Sequence, residues 1–248
     1  MKHIEDRMPR ALVFAIAVLT SAAPGLAGSR PVVLAAVAAN FAGTAAALEP
    51  AFEAAYPYDL QLVIGSTGQA YAQIRAGAPY DVWLAADQAR PARLEAEGGT
   101  VPGSRFTYAR GRLVLWSRRS DLPADPLAAL TDPTVQFVAL ANPDLAPYGA
   151  AAEAVIAALS VDLTGRMVLG QNVGQAYALV ATGNADLGFV AQSALAGAGG
   201  VVRALDPALY PPILQDAVQL TDTAGAAALM AFLRSDPARA VMQEAGYD

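Results

Sequence analysis

Runs rich in apolar and β-branched residues alternate with alanine-rich stretches along the chain. Runs of continuous apolar character predict strands buried on both faces of a parallel sheet, and the stretches between them have the length of helices. The pattern therefore predicts an α/β fold of mostly parallel sheets flanked by helices. The predicted strands cover residues 32–38, 60–65, 81–86, 112–117, 136–140, 166–169, 187–190 and 217–220, and the predicted helices cover residues 43–55, 69–76, 89–97, 150–159, 175–182, 224–235 and 237–244.

The order of these elements indicates two lobes. Residues 106–117 form one long extended segment containing Gly111, and beyond it the alternation of strands and helices begins again. A proline-rich stretch at 206–212 then precedes the last predicted strand. A single domain with a long hairpin is the alternative, since roughly 220 mature residues suit one large or two modest domains. The predicted division is residues 28–109 with 216–248 in the first lobe, residues 110–215 in the second, and hinges near 108–111 and 214–216.

The first residues have the layout of a secretory signal peptide. Three basic residues precede an apolar run at 11–19, and small residues follow at 25–27. This order predicts a signal peptide over residues 1–27, with a membrane anchor or a disordered tail as the alternative. The apolar run is shorter than the roughly 20 residues that span a bilayer. Because the chain contains no cysteine, a lipid-anchored lipoprotein is excluded. The expected location is the bacterial periplasm.

Removal of that segment would leave few groups for catalysis. The only lysine is Lys2, the only histidine is His3, and there is no cysteine. The mature chain therefore lacks the usual general base, the usual activated nucleophiles and the soft metal ligands. A secreted enzyme would depend on carboxylates, but Asp81 and Asp87 flank one predicted strand and are too far apart to share a proton. A binding protein is expected rather than an enzyme.

The charge of the chain narrows the possible partners. The formal net charge is −6 for the whole sequence and about −7 without the predicted signal peptide. A net negative charge argues against nucleic acid as a partner. It also opposes long-range attraction of an anion, so an anion site would have to work through local dipoles.

Four strand-to-helix turns point to such a site. Each turn follows a predicted strand and precedes a predicted helix, and a helix N-terminus binds anions through its free N–H groups and its dipole. In sheets of this kind ligands bind beyond the carboxyl ends of the strands. Together the turns predict a receptor for a small oxyanion. They cover residues 38–41, 65–68, 146–149 and 171–174.

Each turn also has a structural explanation when it is taken alone. Asn40, Ser66 and Thr67 are residue types that cap helices, and Tyr148 would pack well against a sheet edge. Val173 offers only a backbone N–H and an apolar wall. A site made of donors alone should prefer fully deprotonated dianions, because an O–H group on the ligand would find no acceptor.

Three longer segments resemble the periplasmic molybdate-binding proteins of ABC uptake systems. They are residues 76–87, 142–149 and 181–190, and the resemblance extends from about Pro31 to residue 248. It implies the two-lobed type II periplasmic binding-protein fold, with molybdate or tungstate held in the cleft between the lobes. It also implies a monomer that needs no cofactor, catalyses no reaction and delivers its ion to an inner-membrane ABC permease and its ATPase.

The resemblance implies a ligand set from both lobes. Many relatives have a tyrosine at the position of Ala191, and this chain resembles the subgroup in which a tyrosine at position 148 supplies that hydroxyl instead. A receptor for sulfate, phosphate or an organic acid is the alternative. The combination of Tyr148 with the Asn and hydroxyl donors, without an arginine motif at the cleft, favours molybdate. The implied ligands are the backbone of Ala39, the side chain of Asn40, the hydroxyl of Thr67 or of Ser66, the side chain of Tyr148 and the backbone of Val173.

Overall fold

The computed structural model describes residues 29–248, so the predicted signal peptide lies outside the described residues. These residues form ten strands, eight α-helices and three short 3-10 turns at Ala39–Phe41, Gln192–Leu195 and Pro207–Leu209. The strands are β1 Val32–Ala38, β2 Asp59–Gly65, β3 Val82–Leu84, β4 Phe106–Gly111, β5 Leu113–Ser117, β6 Val138–Ala141, β7 Met167–Gly170, β8 Leu187–Ala191, β9 Val201–Ala204 and β10 Ile213–Gln219. The helices are α1 Ala42–Ala55, α2 Thr67–Arg75, α3 Ala89–Ala96, α4 Pro126–Thr131, α5 Pro147–Ala158, α6 Val173–Ala181, α7 Ala224–Leu233 and α8 Asp236–Glu244.

The strands form two sheets with the same design. The first sheet has the order β2-β1-β3-β10-β4 and the second has the order β7-β6-β8-β5-β9. In each sheet one strand, β10 or β5, runs antiparallel to both of its neighbours, while the other neighbouring pairs are parallel. The predicted α/β fold of mostly parallel sheets is confirmed. We call the first sheet with its helices the first lobe, and the second sheet with its helices the second lobe.

The chain passes between the sheets twice. Strand β4 of the first sheet ends at Gly111, and β5 of the second sheet begins at Leu113. The return lies between Ala204 at the end of β9 and Ile213 at the start of β10. The reversed strand of each sheet is therefore the first strand that the chain forms there after passing from the other sheet. The predicted residue bounds of the two lobes stay a prediction, and β10 already joins the first sheet at Ile213.

Both sheets are covered on both faces, as the continuous apolar strands predicted. In the first lobe, Val37 and Phe52 belong to the core under α1 and α7, while Trp83 packs on the opposite face with α2 and α3. In the second lobe, Phe189 faces α5 and Val190 faces α6. Burial of a large apolar side chain contributes about 1.5–3 kcal/mol, so these layers hold the strand ends and the following helices in place.

Several element boundaries differ from the sequence prediction. The extended segment 106–117 is two strands separated at Arg112, and the short elements α4 and β9 were not predicted. Helices α2, α5 and α6 each begin two or three residues earlier than predicted. Side-chain caps at Ser66 and Asn172 start α2 and α6, and a proline, which suits the first turn of a helix, starts α5. As a result, several of the expected site residues are the first residues of helices.

No helix within residues 29–248 combines the length and the apolar character required to cross a membrane.

Candidate functional site

The four predicted helix starts meet at one small cavity between the lobes. The space between its lining atoms, open solvent included, is about 190 Å³. Larger concavities of about 980 and 890 Å³ occur elsewhere on the surface, but the helix starts converge on the small one, so we take it as the candidate site. The sequence-predicted ligand residues all line it, and their binding role stays a prediction. These residues are Ala39, Asn40, Ser66, Thr67, Tyr148 and Val173.

The cavity has no side chain with a formal charge among the described residues that line it. The phenol of Tyr148 is the only ionisable group among the described residues that line it. Four chain segments begin a helical turn at its wall, and the first N–H groups of a helix have no intrahelical acceptor. Their dipoles place partial positive charge around the cavity. The arrangement therefore suits a small anion held by neutral donors.

The start of α2 contributes two buried hydroxyl groups. Ser66 caps the helix: its Oγ accepts from the Gln69 N–H at 3.2 Å, and Gln69 Oε1 accepts from the Ser66 N–H at 3.1 Å. Thr67 Oγ1 accepts from the Ala86 N–H at 2.9 Å. Among the hydrogen bonds of the described residues each hydroxyl oxygen only accepts, so its own hydrogen is available for a ligand. The geometry supplies a donor at both positions.

Asn40 is held by a dense network behind the cavity. Its Nδ2 donates to Gln215 Oε1 at 2.8 Å and to Tyr247 Oη at 3.0 Å, which uses both amide hydrogens. The backbone carbonyl of Asn40 accepts from Ser193 Oγ at 2.9 Å and from Tyr247 Oη at 2.7 Å. The implied role of the Asn40 side chain as a donor to the ligand does not fit this orientation. Its backbone N–H, in the turn Ala39–Phe41, is the donor that remains.

Tyr148 is the second residue of α5 and is buried. Its Oη has no hydrogen-bond partner among the described residues. The hydroxyl lies against Gly111, where an added Cβ would be only 2.1 Å from Oη. Burial raises the pKa of the phenol well above its usual range, so the group remains a neutral O–H donor at physiological pH. An unsatisfied buried hydroxyl costs about 1–3 kcal/mol, which a ligand oxygen would relieve.

The start of α6 contributes backbone only. Asn172 caps this helix by accepting the Gln175 N–H at 3.0 Å, so its side chain is used within the turn. Val173 follows with an apolar side chain that is 4% exposed. Ala191, which carries no hydroxyl, is buried in β8 opposite Leu113. That register places it at the same end of β5 as Gly111, which the Tyr148 hydroxyl contacts.

Contacts between the lobes enclose the cavity. The Gly68 N–H in α2 donates to the Leu145 carbonyl at 2.8 Å, and Arg90 Nη2 donates to the Asp144 carbonyl at 2.8 Å. A Cβ at Gly68 would lie 2.9 Å from the Leu145 oxygen, so only glycine permits this approach without a shift. The structure is therefore a closed arrangement of the two lobes.

The residues behind the cavity were not predicted from the sequence. Gln215 and Tyr247 contact Asn40 from positions 175 and 207 residues away, and such pairings leave no local pattern. The one available signal was a polar pair, Gln215 and Asp216, within an otherwise apolar run, which was interpreted as a hinge. Both side chains are fully buried in β10.

The two carboxylates that flank β3, Asp81 and Asp87, have structural partners. Asp81 accepts from the Leu34 N–H at 2.9 Å and from Thr221 Oγ1 at 2.7 Å. Asp87 accepts from the Arg90 N–H at 3.0 Å. Within the part of the chain that the structure describes, no group of three or more His, Cys, Asp or Glu side chains is placed to hold a metal ion.

Comparison with known proteins identifies the family. The family of bacterial extracellular solute-binding proteins matches residues 33–248. The molybdate-binding protein ModA of Azotobacter vinelandii is 43% identical over 221 residues, covering 86% of this chain and 88% of that protein. ModA of Rhodobacter capsulatus is 42% identical over 236 residues, covering 93% of this chain and 92% of that protein. The structure of the Azotobacter vinelandii periplasmic molybdate-binding protein matches with a TM-score of 0.83 and 37% identity, covering 87% of this chain and 98% of that one.

These matches confirm the expectation of a binding protein rather than an enzyme, and they confirm the two-lobed fold that the sequence motifs implied. The chain belongs to the bacterial extracellular solute-binding proteins, and within them to the family of periplasmic molybdate-binding proteins.

Proposed function

We propose that this protein captures molybdate or tungstate in the periplasm for uptake by an ABC transporter. The observation that carries the proposal is the convergence of four helix starts and three buried hydroxyl groups on one cavity without a charged side chain. The identity of 42–43% to molybdate-binding relatives supports it. The ion would pass to an inner-membrane permease and its ATPase. The proposal includes an exported monomer, with residues 1–27 as its signal peptide, and no cofactor.

The first lobe would bind the oxyanion through the backbone of Ala39 and Asn40 and the hydroxyls of Ser66 and Thr67. The second lobe would add the Tyr148 hydroxyl and the backbone N–H of Val173. Hydrogen bonds to an anion are roughly twice as strong as those between neutral groups. Closure of the lobes would complete the donor set and exclude water, so affinity and lobe closure are one conformational equilibrium.

The donor set also predicts selectivity among oxyanions. Molybdate, tungstate and sulfate have no proton to lose near neutral pH, whereas phosphate retains at least one O–H group. The cavity presents mainly N–H and O–H donors, so that extra proton would face another donor. Sulfate carries the same charge as molybdate but is smaller, so in a rigid donor cage its oxygens would reach fewer donors at normal distance.

Calorimetric titration of the protein without residues 1–27 tests the proposal. Molybdate and tungstate should bind one to one, and sulfate and phosphate should bind at least about 100-fold more weakly, a difference of about 2.8 kcal/mol. Y148F should weaken molybdate binding. Y177F is the matched control, because Tyr177 is in the same lobe but stacks on Trp116. Tighter binding of sulfate or phosphate would favour the alternative anion receptor, and failure of all four ions to bind would contradict an oxyanion receptor.

A further inference from the structure

Gln215 is a fully buried polar side chain in the middle of β10. Its Oε1 accepts from Asn40 Nδ2 at 2.8 Å and from Tyr108 Oη at 3.1 Å. The bond from Asn40 sets the orientation of the carboxamide, because the alternative orientation would bring its NH2 group against the Asn40 NH2 group. The Gln215 Nε2 hydrogens are therefore directed away from Asn40.

The Nε2 atom faces the same point as the Tyr148 hydroxyl. A Cβ at Gly111 would lie 2.7 Å from Gln215 Nε2 and 2.1 Å from Tyr148 Oη. Both atoms are buried, and neither has a hydrogen-bond partner among the described residues. Nε2 can only donate, whereas a phenol oxygen can donate one hydrogen and accept others. If the two groups bond to each other, Tyr148 Oη must be the acceptor.

We propose that Gln215 is a positioning residue for ligand binding: it donates to Tyr148 Oη and thereby directs the Tyr148 hydrogen toward the bound oxyanion. This inference deepens the proposed function and depends on it. The bond would form in the ligand-bound state. It would complete a series of hydrogen bonds in which Asn40 donates to Gln215 and Gln215 donates to Tyr148. In that series β10 of the first lobe orients the donor of the second lobe.

The inference gives Gln215 an effect that packing alone would not produce. A hydrogen bond to a charged group contributes about 1.5–3 kcal/mol, or roughly 10- to 150-fold in affinity. Loss of Tyr148 O–H would forfeit that bond directly. Loss of Gln215 would forfeit part of it, because the hydroxyl could then turn away from the ligand. Without the Tyr148 hydroxyl, Gln215 has nothing left to orient.

A double-mutant cycle on the otherwise unchanged mature protein tests this dependence, with molybdate affinity as the readout. Expected losses are about 30-fold for Y148F and about 10-fold for Q215M, but less than about threefold for Q215M added to Y148F. Independent losses, which would multiply to about 300-fold in the double variant, would overturn the role of Gln215. Q219M is the matched control, because Gln219 is on the same strand but donates to the Thr221 carbonyl.

Q215E provides a second test that preserves the shape of the side chain. It keeps an oxygen for Asn40 and Tyr108 and replaces only the donor nitrogen with an acceptor, to which Tyr148 would then donate. Its added charge repels the ligand with or without Y148F, so a larger loss in the presence of Tyr148 supports the proposal. An equal loss in both backgrounds contradicts it. Failure of the unsubstituted protein to bind molybdate would instead contradict the proposed function itself.

Discussion

The two lobes have the same strand order but support their halves of the cleft differently. In the first lobe the hydroxyls of Ser66 and Thr67 are fixed by hydrogen bonds to Gln69 and Ala86 of the same lobe. In the second lobe the Tyr148 hydroxyl extends beyond its own sheet and ends against Gly111 of β4. One half of the site is therefore complete by itself, whereas the other half is arranged by contact with its opposite lobe.

This difference indicates an order of events. A lobe whose donors are already oriented loses little entropy on binding, so the first lobe would hold the ion first. The tyrosine of the second lobe would gain its contact with Gly111 only when the lobes meet. Closure would then depend on both the ion and the contacts at Gly111, which makes this side of the cleft the more sensitive to substitution.

The largest effect is expected for G111A. Its Cβ would lie 2.1 Å from Tyr148 Oη, and real Cβ atoms do not approach so closely, so the tyrosine must move. We expect molybdate affinity to fall about 100-fold, measured by calorimetry. G43A is the control, since a Cβ at Gly43 has nothing within 4 Å. Unchanged affinity in G111A would mean that the Tyr148 hydroxyl does not bind the ion.

T67V tests the half of the site whose hydroxyl groups are fixed by hydrogen bonds within the first lobe. It removes an O–H donor and leaves the Ala86 N–H without its acceptor. We expect about a 30-fold loss of molybdate affinity and, in the free protein, a loss of about 1–3 kcal/mol in the free energy of unfolding. S66A should cost about 1 kcal/mol as a lost cap. The variant with the larger affinity loss identifies the principal hydroxyl ligand, and full stability in T67V would contradict the local support described for this lobe.

Tyr247 joins the two halves, because it contacts Asn40 in the first lobe and Ser193 in the second. Burial raises its pKa from 10.0 to about 12. The unfolded chain therefore ionises first as the pH rises, and stability present below pH 10 is lost toward pH 12. Tyr247 alone should account for roughly 2 kcal/mol of that loss. Denaturant unfolding at several pH values should show a smaller alkaline loss in Y247F, and an identical loss would contradict this assignment.

The smallest effect is expected for R90A. Arg90 donates to the Asp144 carbonyl across the rim of the cleft, where solvent screens the contact. We expect a two- to fivefold loss of molybdate affinity, mainly through faster release, and only a small loss of thermal stability from the ion pair with Asp87. Stopped-flow measurement of the dissociation rate would detect it. A loss as large as that of G111A would mean that rim contacts, rather than the tyrosine, control closure.

The sequence predicted those parts of the site that depend on neighbouring residues. Helix starts follow from local composition, so Thr67, Tyr148 and Val173 were expected at the cavity and lie there. The direction of the Asn40 side chain was not predictable, because Gln215 and Tyr247, which determine it, are distant in sequence. The closeness of Tyr148 to Gly111 also depends on how two separate sheets meet, which no local pattern records.

The reversed strand of the first sheet has a consequence for assembly during synthesis. The second sheet is built entirely from residues between Leu113 and Ala204, whereas the first sheet lacks β10 until residues 213–219 exist. The earlier-synthesised lobe is therefore the later one to finish folding. Pairings across about a hundred residues, as between β4 and β10, form slowly because a long loop must close first. Such a delay would leave the first sheet without β10 and β4 in their paired positions until almost the whole chain has been made.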